Sequence, residues 1–214
     1  MEQGRVSVNG VRATLGQTAD AEFDDIRIDG KPLPKKTEAV YLMLHKPRGY
    51  VTTLSDELGR KTAAELVDCG CRVYPVGRLD YASEGLLLFT NDGALADRLM
   101  HPRGEIGKVY EVTVRGKLEG AEERLRRRIL LDGVKIQAPI VRKLRESGDK
   151  TTFEITIFEG KNRQIRRMCD AAELTVCRLC RVKEGSLALG NLAVGKWRYL
   201  TEEEVQLLRK EAKL

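Results

Sequence analysis

Leu86-Leu87-Leu88-Phe89 constrains this chain more than any other stretch. Four consecutive apolar residues too short for a helix read as a strand buried on both faces. Such a strand sits centrally in a sheet and needs cover above and below it. Around it the pattern alternates irregularly. Tyr41-Leu42-Met43-Leu44 reads as a second short buried strand. Val109 to Val114 alternates, with Tyr110, Val112 and Val114 on one face, and Phe153 to Ile157 alternates as well. Helical spacing is expected over 61–68, Gly93 to Met100, Glu122 to Ile129 and Asn162 to Glu173. Thr201 followed by three glutamates marks the start of a C-terminal helix, with Trp197 near a last strand. Hairpin-like strands mixed irregularly with helices favour an α+β fold over a doubly wound one.

The opening residues form a separate unit. Arg5 to Val8 alternates, Asn9-Gly10 is a type I′ turn signal, and Val11 to Ala13 returns. Asp25 to Ile28 alternates before Asp29-Gly30. Lys31-Pro32-Leu33-Pro34-Lys35-Lys36 then reads as a linker. These boundaries divide the chain into residues 1–34 and 39–214.

Several classes are excluded. No apolar run reaches the roughly 18 residues that a membrane span requires, and the start MEQGRVSVNG has no apolar segment of a secretory signal. Five cysteines in such a chain read as reduced thiols in the cytoplasm. Neither a Walker loop nor a dinucleotide-binding glycine fingerprint is present. The zinc-deaminase pattern is missing too. Cys177 and Cys180 have C-x-x-C spacing, but Cys69-Gly-Cys71 is a poor partner for a zinc site, so buried thiols are the expectation and no metal is. The two histidines, His45 and His101, read as structural or surface residues.

The charge is uneven. Residues 160–198 hold nine basic and three acidic residues, so this stretch carries the whole net charge of +6. A concentrated basic patch fits a polyanion, and equally an ordinary solvated face. Inside it, Lys161-Asn162-Arg163-Gln164 opens a basic helix, where amides and cations together could hold phosphates; an exposed basic face is the alternative. One further segment breaks local rules. In Gly77-Arg78-Leu79-Asp80-Tyr81-Ala82-Ser83-Glu84-Gly85, a charged pair lies between two apolar strands, bracketed by glycines. Taken alone, Asp80 is also compatible with a turn aspartate bonding its own backbone.

Together these segments resemble the ribosomal RNA pseudouridine synthases of the RsuA/RluB type. "GRLDYASEGLLLFTNDG" is similar to that family's catalytic motif. "LHKPRGYVTT", "LMHPRGEIGKVYEVTV", "EGKNRQIRRMC" and "RVKEGSLALGNLAVGKWRYLT" extend the likeness in order over about residues 40–204. The resemblance implies a mixed, largely antiparallel sheet with flanking helices and a central RNA cleft. "GRVSVNGVRATLGQTADAEFDDIRIDGKPL" resembles the back half of an S4 RNA-binding module, whose two leading helices are missing here; the expectation is a truncated S4-like module.

The resemblance also implies roles. Asp80 is the nucleophile. Arg166 pairs with it, and Tyr110 stacks on the base and relays a proton; on pattern alone, Tyr110 is equally a core-facing strand residue. Arg78 takes the space vacated by a flipped base, or else contacts a phosphate. Lys46, Lys108, Lys161, Arg163 and Arg167 hold RNA phosphates, and Asn162 and Gln164 join them at the helix start. Ser83 stands where the family often has threonine, and Leu187 or Leu189 lines the uracil pocket. No cofactor is required, because the isomerisation involves no redox change. The expected partner is ribosomal RNA, with wording closer to the large-subunit enzymes, and the protein is expected to be a monomer. The rivals are a non-catalytic RNA-binding assembly factor of the same fold and an enzyme acting on transfer RNA.

Overall fold

The computed structural model describes all residues except 22, 33–37, 102–105, 117–119, 127–129 and 132; of residues 130, 131, 134 and 135 it describes the backbone alone. The chain divides into two compact units, Met1–Glu38 and Ala39–Leu214. The smaller one carries strands β1 (Val6–Val8), β2 (Val11–Arg12), β3 (Ile26–Ile28) and β4 (Lys31–Pro32) in the order β2-β1-β3-β4. Asn9 and Gly10 both have positive φ, as the turn between β1 and β2 demands. Most of the linker expected at 31–36 lies outside the described residues.

The larger unit is built on a nine-stranded sheet. Its strands in chain order are β5 (Tyr41–Lys46), β6 (Tyr74–Val76), β7 (Glu84–Thr90) and β8 (Lys108–Arg115). A separate two-stranded pair follows, β9 (Leu130–Leu131) with β10 (Val134–Lys135). The sheet then continues with β11 (Ile140–Ser147), β12 (Lys150–Ile157), β13 (Thr175–Glu184), β14 (Leu187–Ala188) and β15 (Trp197–Tyr199). The order is β11-β12-β8-β13-β7-β5-β15, with β6 on β7 and β14 on β13. Only the short β13–β7 contact, Cys180 opposite Glu84 and Arg181 opposite Gly85, is parallel among these pairs. The sheet is therefore mixed and largely antiparallel.

β7 lies inside the sheet, between β13 and β5, and every one of its residues is buried. Leu87 and Phe89 face one side, with Leu42, Leu44, Val112, Phe153 and Ile155. Helices α2 (Ala121–Arg126) and α3 (Gln164–Ala171) cover that side through Leu125, Ile165 and Met168. Leu86 and Leu88 face the other side, with Met43. There α1 (Gly93–Met100) and α4 (Glu202–Glu211) close the core through Leu95, Leu99 and Leu208. The central strand expected from the apolar run is thus covered on its two faces by two pairs of helices.

Helix starts follow their caps. Asp92 accepts the Leu95 amide ahead of α1. Thr201 and Glu204 exchange hydrogen bonds in a capping box ahead of α4. Over 61–68 only a single 3₁₀ turn forms, Ala63–Leu66. Thr62 and Glu65 nucleate it by the same reciprocal capping, but Val67 leaves in an extended conformation. The helix expected over 122–129 spans Ala121–Arg126, beyond which the chain lies outside the described residues. The helix expected from Asn162 starts at Gln164, because Arg163 adopts a left-handed backbone with φ 48°.

Candidate active site

Asp80 lies in the loop joining β6 to β7. This loop leaves little backbone freedom. Thr52 Oγ1 donates to the Leu79 carbonyl at 2.7 Å and accepts the Leu79 amide at 3.2 Å. The Asp80 carbonyl accepts the Ser83 amide at 2.9 Å, closing a turn, and Lys46 Nζ at 3.2 Å. Gly49 donates its amide to the Tyr81 carbonyl at 2.8 Å. Arg166 Nη2 donates to Ala82 at 2.9 Å, and Lys46 Nζ to Ser83 at 2.9 Å. Every carbonyl from Leu79 to Ser83 is therefore held by a donor from another segment of the chain. Preorganisation of this kind fixes a side chain without cost at the moment of reaction.

Lys46 makes two of these ties and corrects one expectation. It is fully buried, so it cannot hold an RNA phosphate. Its ammonium donates to Pro47, Asp80 and Ser83 carbonyls instead. Burial pushes its pKa down to about 8, against the partial support of Asp80 and Glu84. Arg166 also acts differently from expectation. Among the described residues no ion pair joins it to Asp80; its guanidinium reaches the loop through Ala82. It remains close enough for Asp80 to favour its charge, while burial and Arg163 oppose it.

Asp80 lines a cavity of about 560 Å³, within the size range of ligand sites. Arg78, Ser83, Lys108, Tyr110, Lys161, Asn162, Arg163 and Gln164 line it too. Its apolar walls include Leu99, Ile157, Ile165 and Leu179. Sheet register sets the polar wall. Tyr110 on β8 lies opposite Arg181 on β13, and Lys108 lies opposite Glu184. Burial raises the Tyr110 pKa, which the nearby Arg181 partly opposes, so the phenol keeps its proton through neutral pH. Burial lowers the Lys108 pKa, and its Nζ donates to Ile106 at 3.0 Å. Arg181 and Glu184 are buried in this wall, although the sequence marks them only as members of a basic stretch.

Other placements complete the picture. Lys161, Asn162 and Arg163 are exposed at the rim, beside the N-terminus of α3. Gln164 is buried and already committed: its Oε1 accepts the Lys161 amide and its Nε2 donates to Glu159, so it shapes the rim and has no free end for RNA. Arg167 lies outside the cavity lining, whereas His101 belongs to it. Leu187 and Leu189 do not line the cavity. Both pack in the core with Leu86 and Leu88, which overturns their assignment to the pocket. All five cysteines are free thiols.

A cavity rimmed by cations and lined by an acid on a pinned loop suits a polyanionic substrate and acid–base or nucleophilic chemistry, and comparison with known proteins gives the class. The family model for RNA pseudouridylate synthase matches residues 40–171. An RNA pseudouridine synthase of Aquifex aeolicus is 42% identical over 97% of this chain and 85% of its own length. The ribosomal large subunit pseudouridine synthase B of Bacillus subtilis is 39% identical over 98% of this chain and 87% of its own. A crystal structure of a pseudouridylate synthase superposes with a TM-score of 0.73 at 29% identity, covering 97% of this chain and 90% of that one. The chain belongs to the RNA pseudouridylate synthase family. It is an RNA pseudouridine synthase, an isomerase.

Proposed function

We propose that this enzyme converts a uridine of ribosomal RNA, in the large subunit, to pseudouridine, with Asp80 as the nucleophile. The observation that carries the reading is the Asp80 loop, held at every carbonyl and opening into the same cavity as Tyr110. A passive RNA-binding factor has no use for an acid fixed in this way. The large-subunit target is supported by the Bacillus subtilis relative and by a Haemophilus influenzae relative of the same name, 37% identical.

The net reaction breaks the N1–C1′ bond, forms C5–C1′, and moves one proton from C5 to N1. No electron donor or acceptor enters the balance. Uridine must leave its stack to reach the cavity, at a cost of about a few kcal/mol. Arg78, exposed at the cavity mouth, fills the vacated space. Tyr110 packs against the base and holds its phenolic proton ready for relay. Arg166 steadies the Asp80 loop through Ala82 and adds positive potential beside the carboxylate. Lys161, Asn162 and Arg163 hold phosphates at the rim, as Lys108 does deeper in the cavity. On this reading the enzyme is a cytoplasmic monomer; the ribosomal RNA named for its relatives supports the location.

Mapping pseudouridine across ribosomal RNA from cells with and without the gene tests this reading. One large-subunit site disappears in the deletion and returns with the wild-type gene, but not with Asp80→Asn. The purified Asp80→Asn protein binds the RNA with nearly unchanged affinity. An unaltered ribosomal map, or full turnover by Asp80→Asn, refutes the assignment.

A further inference from the structure

The polar wall of the cavity contains two charged atoms with unused hydrogen-bonding capacity. Arg181 and Glu184 are each only 3% exposed, and both line the cavity. Arg181 is fixed at its inner edge, where Nε donates to the Leu86 carbonyl at 2.7 Å. Its Nη2 lies 3.3 Å from Glu184 Oε2, an ionic contact without the alignment of a hydrogen bond. Both atoms are buried and, among the described residues, neither has a hydrogen-bond partner. Buried polar groups are nearly always satisfied, so an ion pair that lacks a hydrogen bond at both ends, on two residues that line a ligand cavity, holds donor and acceptor capacity for a bound base.

We propose that Arg181 and Glu184 read the N3 edge of the target uracil, Glu184 accepting N3–H and Arg181 donating to a flanking carbonyl oxygen. The inference rests on the uridine-isomerising role of this cavity. The chemistry of the base matches the pair. Uracil presents acceptor, donor, acceptor along O2, N3–H and O4. Cytosine presents an unprotonated N3, which opposes the Glu184 carboxylate, and a donor at N4 in place of the O4 acceptor. The reaction adds a second reason. Exchanging N1 for C5 at C1′ amounts to turning the ring about the line through N3 and C6. That turn interchanges O2 with O4 and leaves N3–H where it was. A grip on this edge is satisfied equally by substrate and product orientation, so the freed base can be held while it turns.

The test uses the full-length enzyme and a ribosomal RNA fragment carrying uridine or 3-methyluridine at the target. Wild type is expected to prefer uridine by at least about 100-fold, because a site built to bond an N–H rejects an analogue lacking it. Glu184→Ala should lower kcat/KM on uridine about 100-fold and bring the two RNAs within about threefold of each other; Glu184→Gln, which keeps an acceptor, should lose about tenfold. Thermal unfolding checks that the variants fold. If Glu184→Ala does not, a discrimination reduced by about tenfold in Glu184→Gln carries the proposal, and unchanged discrimination overturns it. Equal losses in both variants with wild-type discrimination assign Glu184 a structural role and overturn the proposal. A wild type inert on uridine overturns the reading of the preceding subsection, and this one with it.

Discussion

Replacing Lys46 by methionine keeps the unbranched stem in its buried slot and removes the ammonium. Three carbonyls, of Pro47, Asp80 and Ser83, lose their donor. Bonds to a charged donor contribute about 1.5–3 kcal/mol each. Burial of the charge works against them. A pKa brought from 10.5 to about 8 corresponds to about 3 kcal/mol that the variant recovers. The expected net destabilisation at pH 7 is about 1.5–6 kcal/mol, read as a lowered urea midpoint. The pH dependence gives a second signature. Below pH 8 the ammonium is charged in both folded and unfolded chains, and its burial cost is fully present. Between about pH 8 and 10.5 the unfolded chain binds more protons, so wild type gains stability over the variant as pH rises. Activity moves the opposite way, since a neutral amine has only two N–H groups for three carbonyls and the Asp80 loop loosens. Wild-type kcat/KM therefore falls above about pH 8, while the stability advantage over Lys46→Met grows. A variant with the wild-type urea midpoint and turnover, or a stability difference flat across this window, would refute the reasoning.

Gly85 has φ +112°, and a Cβ there would strike the Arg181 backbone; Gly85→Ala should cost about 2–5 kcal/mol and disturb the β13–β7 contact, both measurable by chemical denaturation. Tyr110→Phe keeps the ring but loses the phenolic proton, so kcat should fall about 100-fold or more with RNA affinity unchanged in a binding titration; wild-type turnover would remove the relay role. Burial pushes the thiols of Cys169 and Cys180 up to about 12 and about 11. A disulfide exchange reagent at pH 8 should therefore react with Cys177 well before either, by peptide mapping.

What the sequence disclosed, and what it hid, follows from the range of each interaction. Leu86 to Phe89 announced a two-faced central strand because its side chains report burial directly. Tyr110 and Asp80 were singled out by the resemblance of their motifs, since strand alternation and a glycine-bracketed turn taken alone fit a core tyrosine and a turn aspartate equally well. Lys46 looked like a cation for phosphate, since "HKPRGY" carries no local sign that carbonyls more than thirty residues away enclose it. Arg181 and Glu184 were hidden by their strand: in a basic stretch, charges read as solvated, and only the register of β13 against β8 turns them inward. β11 escaped notice because it is an edge strand, exposed along most of its length, whose charged residues show no alternation of apolar groups.

The pairing of β5 with β15 sets when the enzyme can first work. Leu42 meets Tyr199 and Leu44 meets Trp197, so the core sheet joins segments synthesised at opposite ends of the larger unit. Asp80, Tyr110 and Arg166 come from three successive stretches between them. Contacts so distant along the chain close slowly, and a partly synthesised polypeptide leaves hydrophobic strands uncovered. A nascent chain released before residue 197 would therefore be inactive and prone to aggregate, even with Asp80, Tyr110 and Arg166 already translated.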